Sequence, residues 1–233
     1  MVLTGAAGRI GRSITPTLAT RWDLQLTDVR ADETVDRCDI TDLDACRGAF
    51  GGADAVVHLA AVPDPDAPWQ DLLPANVIGA YTVARAAIDR GVSRLVLASS
   101  LHAVSGLSAR TQTRGTDQAR PANLYGATKV WAEALGSWVA ATSTTTVVAL
   151  RIGYFSPDRP TAEAVSPTDR SAWISPRDTA ELVRAAVEAD GIDFVVADGV
   201  SANKADVSRT VARLGYQPVD DPGKKQTCPP DPP

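Results

Sequence analysis

The chain has 233 residues, 44% of them hydrophobic, and a formal net charge of -5. That is enough apolar material for one α/β domain with a sizeable core. The acidic balance, with no basic block, argues against nucleic acid or an anionic membrane as partner, and no apolar run is long enough to span a bilayer.

Val2 and Leu3 read as the end of a buried strand, and Ile10, Ile14 and Leu18 have helical spacing. Between them stands Thr4-Gly5-Ala6-Ala7-Gly8-Arg9-Ile10-Gly11. A strand, closely spaced glycines and then a helix form the dinucleotide-binding arrangement. Gly5, Gly8 and Gly11 permit a tight turn and close backbone approach to a pyrophosphate, and the helix start at Arg9 and Ile10 supplies N–H donors. The chain starts directly in this strand, without a signal peptide, so a cytoplasmic location is expected.

Leu24 to Asp28 is the predicted second strand. An acid at its end, about twenty residues after a glycine turn, accepts hydrogen bonds from ribose hydroxyls and repels a 2′-phosphate. Asp28 therefore favours NAD over NADP, although Arg9 and Arg30 lie within reach of a 2′-phosphate. Val35 to Cys38 is a short third strand, Asp42 to Phe50 a helix closed by Gly51-Gly52, and Ala55 to Leu59 a buried fourth strand. Cys38, Cys46 and Cys228 lack metal-type spacing, and with only His58 and His102 as imidazoles no metal site is expected.

Pro63, Pro65 and Pro68 break the chain into a loop. Trp69 to Arg90 is expected as one long helix, with Leu72, Leu73, Val77, Ile78, Tyr81 and Ala84 toward the sheet. Arg94 to Ser99 is strand five, and Leu101 to Ala122 an active-site loop. Asn123 to Ala141 is a helix, and Thr145 to Arg151 is strand six. Ser156 to Ser175 reads as a long polar loop, Pro176 to Ala189 as a helix, Phe194 to Ala197 as a strand, Asn203 to Leu214 as a last helix, and the proline-rich end as an extended tail. The alternation predicts a Rossmann-type, doubly wound parallel sheet. It forms a single domain over 1–233, with a small substrate-binding portion at 154–175 and 198–233.

Tyr125 and Lys129 lie four apart on the Asn123 helix and share a face. A free phenol titrates near pH ~10, too high for efficient proton transfer at neutral pH. A lysine ammonium about 4 Å away contributes on the order of 4 kcal/mol toward lowering it. Ser100 ends strand five, on the side where ligands bind in such sheets. Its hydroxyl can hold a carbonyl oxygen while the phenol transfers a proton. Ser99 is expected to cap the following turn.

On Thr4 to Gly11, Asp28, Asp39-Ile40, His58-Leu59-Ala60-Ala61, Asn76 with Gly79, Ser99-Ser100, Tyr125 to Lys129 and Arg151-Ile152-Gly153, the chain resembles extended, epimerase/dehydratase-like short-chain dehydrogenases/reductases. The resemblance implies catalytic roles for Ser100, Tyr125 and Lys129. It puts Asp39 and Ile40 beside the adenine and Leu59, Ala60 and Ala61 beside the nicotinamide. Asn76 would hold the catalytic helix or a relay water, and Ser99 and Ile152 complete the cofactor set. His58 reads as a satisfied buried histidine. Dimers are common in the group, through a bundle of the Trp69 and Asn123 helices.

Within the group, Ala98 to His102, Leu124 to Lys129, Arg151 to Gly153 and Ser201 to Asn203 are similar to hexuronate dehydrogenases, which oxidise a sugar acid to a lactone with NAD. Pro63, Leu101, His102, Asn123, Tyr154 and Arg170 are the implied substrate residues. Leu101 stands where an asparagine is usual and Pro63 where a serine is usual, and Arg170 is off register as a carboxylate clamp. A buried carboxylate without a cation is costly, so a less charged polar ring is the expected substrate. The reaction is oxidation of a sugar-type alcohol or reduction of a ring ketone, as in a ketoreductase of a specialised metabolite such as a pentostatin-type nucleoside. The alternatives are an epimerase or dehydratase and a cofactor-binding redox sensor. The Tyr-Lys pair argues against the sensor.

Overall fold

The computed structural model describes residues 1–107, 115–158, 160–161, 163–202 and 214–221. The predicted helix from Asn203 and the proline tail lie outside the described residues, as does most of the predicted 198–233 substrate portion. Seven parallel strands form one sheet. They are β1 (Val2–Thr4), β2 (Gln25–Asp28), β3 (Asp36–Arg37), β4 (Ala55–His58), β5 (Arg94–Ser100), β6 (Thr146–Ile152) and, later in the chain, a final edge strand (Phe194–Gly199). Their spatial order is β3-β2-β1-β4-β5-β6 followed by that final strand. The order reverses between β1 and β4, the switch point at which open α/β sheets bind ligands.

Both faces of the sheet are covered. On one side pack α1 (Arg9–Ala19) and the helix Pro176–Glu188, and on the other α2 (Leu43–Ala49) and the helices from Trp69 to Asp89. The central strands are largely apolar for that reason, and every residue of β4 is buried. Local signals set the helix starts. Asp42 accepts the Asp44 and Ala45 N–H groups ahead of α2, and Ser175 accepts the Asp178 N–H ahead of Pro176.

The predicted helix from Trp69 to Arg90 is interrupted. It comprises α3 (Trp69–Leu72), a π-helical segment (Leu73–Gly79) and α4 (Ala80–Asp89). Pro74 lies in the π segment and has no N–H to give. Wider turns shift the phase of the helix, so Ile78 and Tyr81 are 45% and 46% exposed rather than facing the sheet. Asn76, Ala80 and Val83 face inward instead.

The stretch from Ser156 to Ser175 is also more ordered than its polar composition predicts. After β6 the strand β7 (Tyr154–Phe155) pairs in parallel with β8 (Trp173–Ile174), and a short helix (Pro167–Ser171) lies between them. Trp173 and Ile174 are buried and anchor the segment, and the Trp173 indole N–H donates to the Ser156 carbonyl. Tyr125 and Lys129 stand on α5 (Leu124–Thr142), which is preceded by a 3₁₀ turn (Leu101–Val104) at the end of β5. Among the described residues no helix is long and apolar enough to cross a membrane.

Candidate active site

The glycine turn joins β1 to α1 beside the switch point. Gly5 has φ +74°, and a Cβ there would lie 2.5 Å from the Ala60 nitrogen, so only glycine allows the turn to pack onto the chain leaving β4. A Cβ on Gly11 would meet the Gly5 carbonyl at 2.4 Å. Gly8 occupies the N-cap of α1 without a side-chain cap, which leaves the N–H groups of the first turn, at Arg9, Ile10 and Gly11, for an outside acceptor.

Asp28 ends β2 against this turn. Its Oδ2 accepts the Ala7 N–H at 3.1 Å and its Oδ1 the Arg30 N–H at 3.0 Å. Arg30 stays beside it, 3.6 Å from Oδ1. Arg9 points elsewhere, with its guanidinium 5.9 Å from the Phe155 ring centre. Asp39 is exposed and accepts from the Thr41 N–H and hydroxyl, while Ile40 is buried in the core under α2 and α4. Leu59, Ala60 and Ala61 leave β4 partly buried.

Asn76 is turned inward by the π segment. It accepts the Val62 N–H at 2.8 Å, donates to the Val62 carbonyl and lies 3.2 Å from the Thr128 hydroxyl. Thr128 in turn donates to the Tyr125 carbonyl. Asn76 therefore ties the loop after β4 to the helix that carries Tyr125. His58 bonds the Thr4 hydroxyl through Nδ1 at 2.8 Å, and burial with the neighbouring Lys129 charge takes its pKa down to about 3. It is a neutral, satisfied core histidine.

Ser100, Tyr125 and Lys129 come together at the carboxyl end of β5. Ser100 Oγ accepts the His102 N–H at 3.2 Å and lies close enough to the Tyr125 phenol to favour its ionised form. Lys129 is buried and donates to the Ala98 carbonyl at 3.0 Å, and burial lowers its pKa to about 8. Burial pushes the Tyr125 phenol up, while Ser100 and Arg9 pull it the other way. This differs from the expectation that the lysine brings the phenol down. The ammonium lies 5.5 Å from the ring centre and bonds Ala98, and the phenol is itself enclosed.

The turn after β5 is capped by Ser100, not by Ser99 as expected. Strand alternation points the two serines to opposite sides, and Ser99 donates to Glu133 Oε1 at 2.6 Å. Glu133 and Arg151 form a bidentate pair, 2.8 Å at each contact, with the Arg151 side chain 2% exposed. Ile152 pairs with Ser100 across the strands. The sequence reading missed Glu133, although its position four residues after Lys129 puts it on the same helix face.

Of the residues expected on the substrate side, His102 and Asn123 are brought together with Tyr125. His102 Nδ1 lies 3.0 Å from Asn123 Nδ2, and the imidazole stands edge-on to the phenol with centroids 5.5 Å apart. Leu101 is half-buried in the same turn. Pro63 is exposed in the loop after β4, and Tyr154 is 37% exposed on β7. Arg170 is half-buried in the Pro167–Ser171 helix, where the adjacent Asp169 carboxylate acts on His102.

A parallel sheet with a glycine turn at its switch point, and a Ser-Tyr-Lys group on the next strand and helix, defines a nicotinamide-dependent oxidoreductase of the extended short-chain class. Residues 1–168 match the NAD dependent epimerase/dehydratase family, and the chain belongs to it. It is 34% identical to an NAD-dependent glucose-6-phosphate dehydrogenase of Haloferax volcanii, over 94% of this chain and 93% of that protein. It is 35% identical to an L-arabinose 1-dehydrogenase (NAD(P)(+)) of the same organism, over 94% and 96%. A crystal structure of an Agrobacterium tumefaciens uronate dehydrogenase mutant complexed with NAD superposes with a TM-score of 0.84, at 29% identity over 99% of this chain and 91% of that one.

Proposed function

We propose that this protein is an NAD(P)-dependent dehydrogenase that interconverts a secondary alcohol and a ketone or lactone on a sugar-type polar ring. The observation that carries the reading is the convergence of Ser100, the Tyr125 phenol and buried Lys129 at the end of β5. The residues fit a nicotinamide dinucleotide: the turn at Gly5 and Gly11 leaves no room for a Cβ, and the α1 N-terminus has no side-chain cap. Gly5, Gly8, Arg9, Ile10 and Gly11 would hold the pyrophosphate, Asp28 the adenosine ribose and Lys129 the nicotinamide ribose. When bound, NAD supplies the hydride acceptor.

The side chains manage the proton. Ser100 Oγ holds the substrate oxygen, and Tyr125 Oη takes its proton in oxidation and returns it in reduction. The Lys129 ammonium, near its own midpoint at about pH 8, keeps positive charge beside the phenolate as it forms. Ser99, Asn76 and Ile152 keep strand and helix in register around these groups, and Leu59 to Ala61 form the wall next to the turn.

Pro63, Leu101, His102, Asn123, Tyr154 and Arg170 are assigned to the substrate side. The carboxylates of Asp169 and Asp66 act on His102, which favours a neutral ring over a uronate. The same feature and apolar Leu101 favour, as a second reading, a ketoreductase acting on a neutral ring ketone. The same reading includes a cytoplasmic homodimer formed through α4 and α5, supported by exposed Ile78, Tyr81 and Trp131.

The test is nicotinamide absorbance with NAD and NADP against neutral aldoses, sugar phosphates and uronates, and with NADH and NADPH against ring ketones. Stoichiometric reduction by an aldose supports the first reading, and turnover without net absorbance change replaces it with an epimerase. Light scattering after size exclusion reads the oligomer.

A further inference from the structure

The Asn123 amide is oriented by the helix it caps. Its Oδ1 accepts the Gly126 N–H at 2.7 Å, so the atom facing His102 is the NH₂ group. That nitrogen lies 3.0 Å from His102 Nδ1. An amide NH₂ only donates, so Nδ1 must present its lone pair. A neutral imidazole carries one proton, which is then on Nε2. Among the described residues Nε2 has no hydrogen-bond partner of its own.

The contact is held from both sides. The His102 N–H donates to Ser100 Oγ. A Cβ on Gly126 would lie 2.3 Å from the His102 carbonyl, so the first turn of α5 sits directly on this residue. The groups facing the imidazole are Asn123 and Tyr125 from α5, Asp169 from the Pro167–Ser171 helix and Asp66 from the loop before α3. Burial pushes His102 toward the neutral form, with the two carboxylates opposing it. A second proton, on Nδ1, would face the amide NH₂. Rotating the amide would relieve that clash only by turning NH₂ toward the Gly126 N–H and removing the helix cap.

We infer that Asn123 is a positioning residue: it fixes His102 as the Nε2–H tautomer and so sets a neutral hydrogen-bond donor beside the Tyr125 phenol, for an acceptor oxygen of the ring substrate. This rests on the dehydrogenase reading for the identity of that substrate. The tautomer itself does not depend on it. A neutral donor suits a sugar hydroxyl, ring oxygen or carbonyl, and adds no charge to draw in an anion.

The test uses uniformly ¹⁵N-labelled full-length protein. With only two histidines in the chain, a long-range ¹H–¹⁵N correlation spectrum is assigned by the signals that His102→Gln removes. The expected wild-type pattern at neutral pH is protonated Nε2 with bare Nδ1. Asn123→Asp keeps a cap oxygen for Gly126 but offers His102 an acceptor. It should move the proton to Nδ1 or hold the imidazolium to higher pH, with the acid limb of the rate profile moving up in pH.

Asn123→Ser also keeps the cap, offers His102 nothing and should mix the tautomers. Loss of one well-placed hydrogen bond lowers kcat/KM by about five- to tenfold, and Asn123→Asp should exceed Asn123→Ser. A bare Nε2 in the wild type, or an unchanged His102 pattern in Asn123→Asp, overturns the inference. An inverted tautomer with unchanged kcat/KM overturns the substrate-positioning role. If no sugar or ring ketone is turned over, the dehydrogenase reading fails, and the spectrum still decides the tautomer.

Discussion

The Lys129 ammonium lies 5.5 Å from the Tyr125 ring centre and donates to the Ala98 carbonyl at 3.0 Å. It is thus held by the strand that ends in Ser100, while the phenol rises one helical turn before it on α5. One buried cation connects the strand that carries Ser100 with the helix that carries Tyr125. Its burial has a cost, because an ammonium out of water is destabilised.

That cost gives a first prediction. Lys129→Met should stabilise the fold by about 1–2 kcal/mol, less than the whole cost of burying the ammonium because the Ala98 carbonyl loses its donor. It should also lower turnover by at least about a hundredfold. Thermal or urea unfolding and initial rates are the two measurements. A destabilised variant would mean that the lysine is primarily structural.

Tyr125→Phe should reduce turnover by roughly 10²–10⁴-fold while NAD still binds, read by calorimetry. The ring keeps its packing against Ala67 and Leu72, so the fold should survive. Near-normal turnover would remove the phenol from the proton path.

Asp28→Ala should weaken NAD binding by about ten- to a hundredfold, since a hydrogen bond to a charged group contributes about 1.5–3 kcal/mol. NADP should be affected less, because Arg30 is released from the carboxylate it now accompanies. Affinities for both cofactors test this. An unchanged ratio would detach Asp28 from the ribose.

Glu133→Ala leaves the Arg151 guanidinium buried without its carboxylate, which should cost about 3–5 kcal/mol. Glu133→Gln keeps a partner for Ser99 and should cost less. Urea denaturation of the two variants separates them, and equal losses would mean that the charge is not what matters.

His58 contributes a pH dependence whose sign is fixed. Its folded pKa is lowered from 6.5 to about 3 by burial, with the Lys129 charge adding to it. The unfolded chain therefore takes up a proton first as pH falls, and stability drops progressively from about 6.5 toward about 3. His58→Gln can still bond Thr4 and should flatten this slope. Urea midpoints between pH 7 and pH 4 provide the comparison, and parallel slopes would assign the acid lability elsewhere.

Much of the site was legible because it is local. Gly5, Gly8 and Gly11 act through the turn in which they stand, and Tyr125 and Lys129 through a single helical period. The two-residue β3 and the apolar β4 were found from the same short-range patterns. The interruption at Leu73–Gly79 was harder to read: Pro74 was visible, but the π turns that expose Ile78 and Tyr81 depend on what Asn76 bonds across the fold.

The sequence by itself determined the alternation of strands and helices, the glycine turn and the placing of Tyr125 and Lys129 on one helix face, since each depends on neighbours within one turn or one strand. Tertiary structure alone decided the direction of the Tyr125 pKa shift, the engagement of Ser99 and Arg151 by Glu133, and the neighbours of His102. Those outcomes depend on burial and on the contacts that bring β5 against α5 and β6, which lie well beyond it along the chain. Desolvation and hydrogen-bond geometry are properties of the assembled interior, and no spacing of residues encodes them.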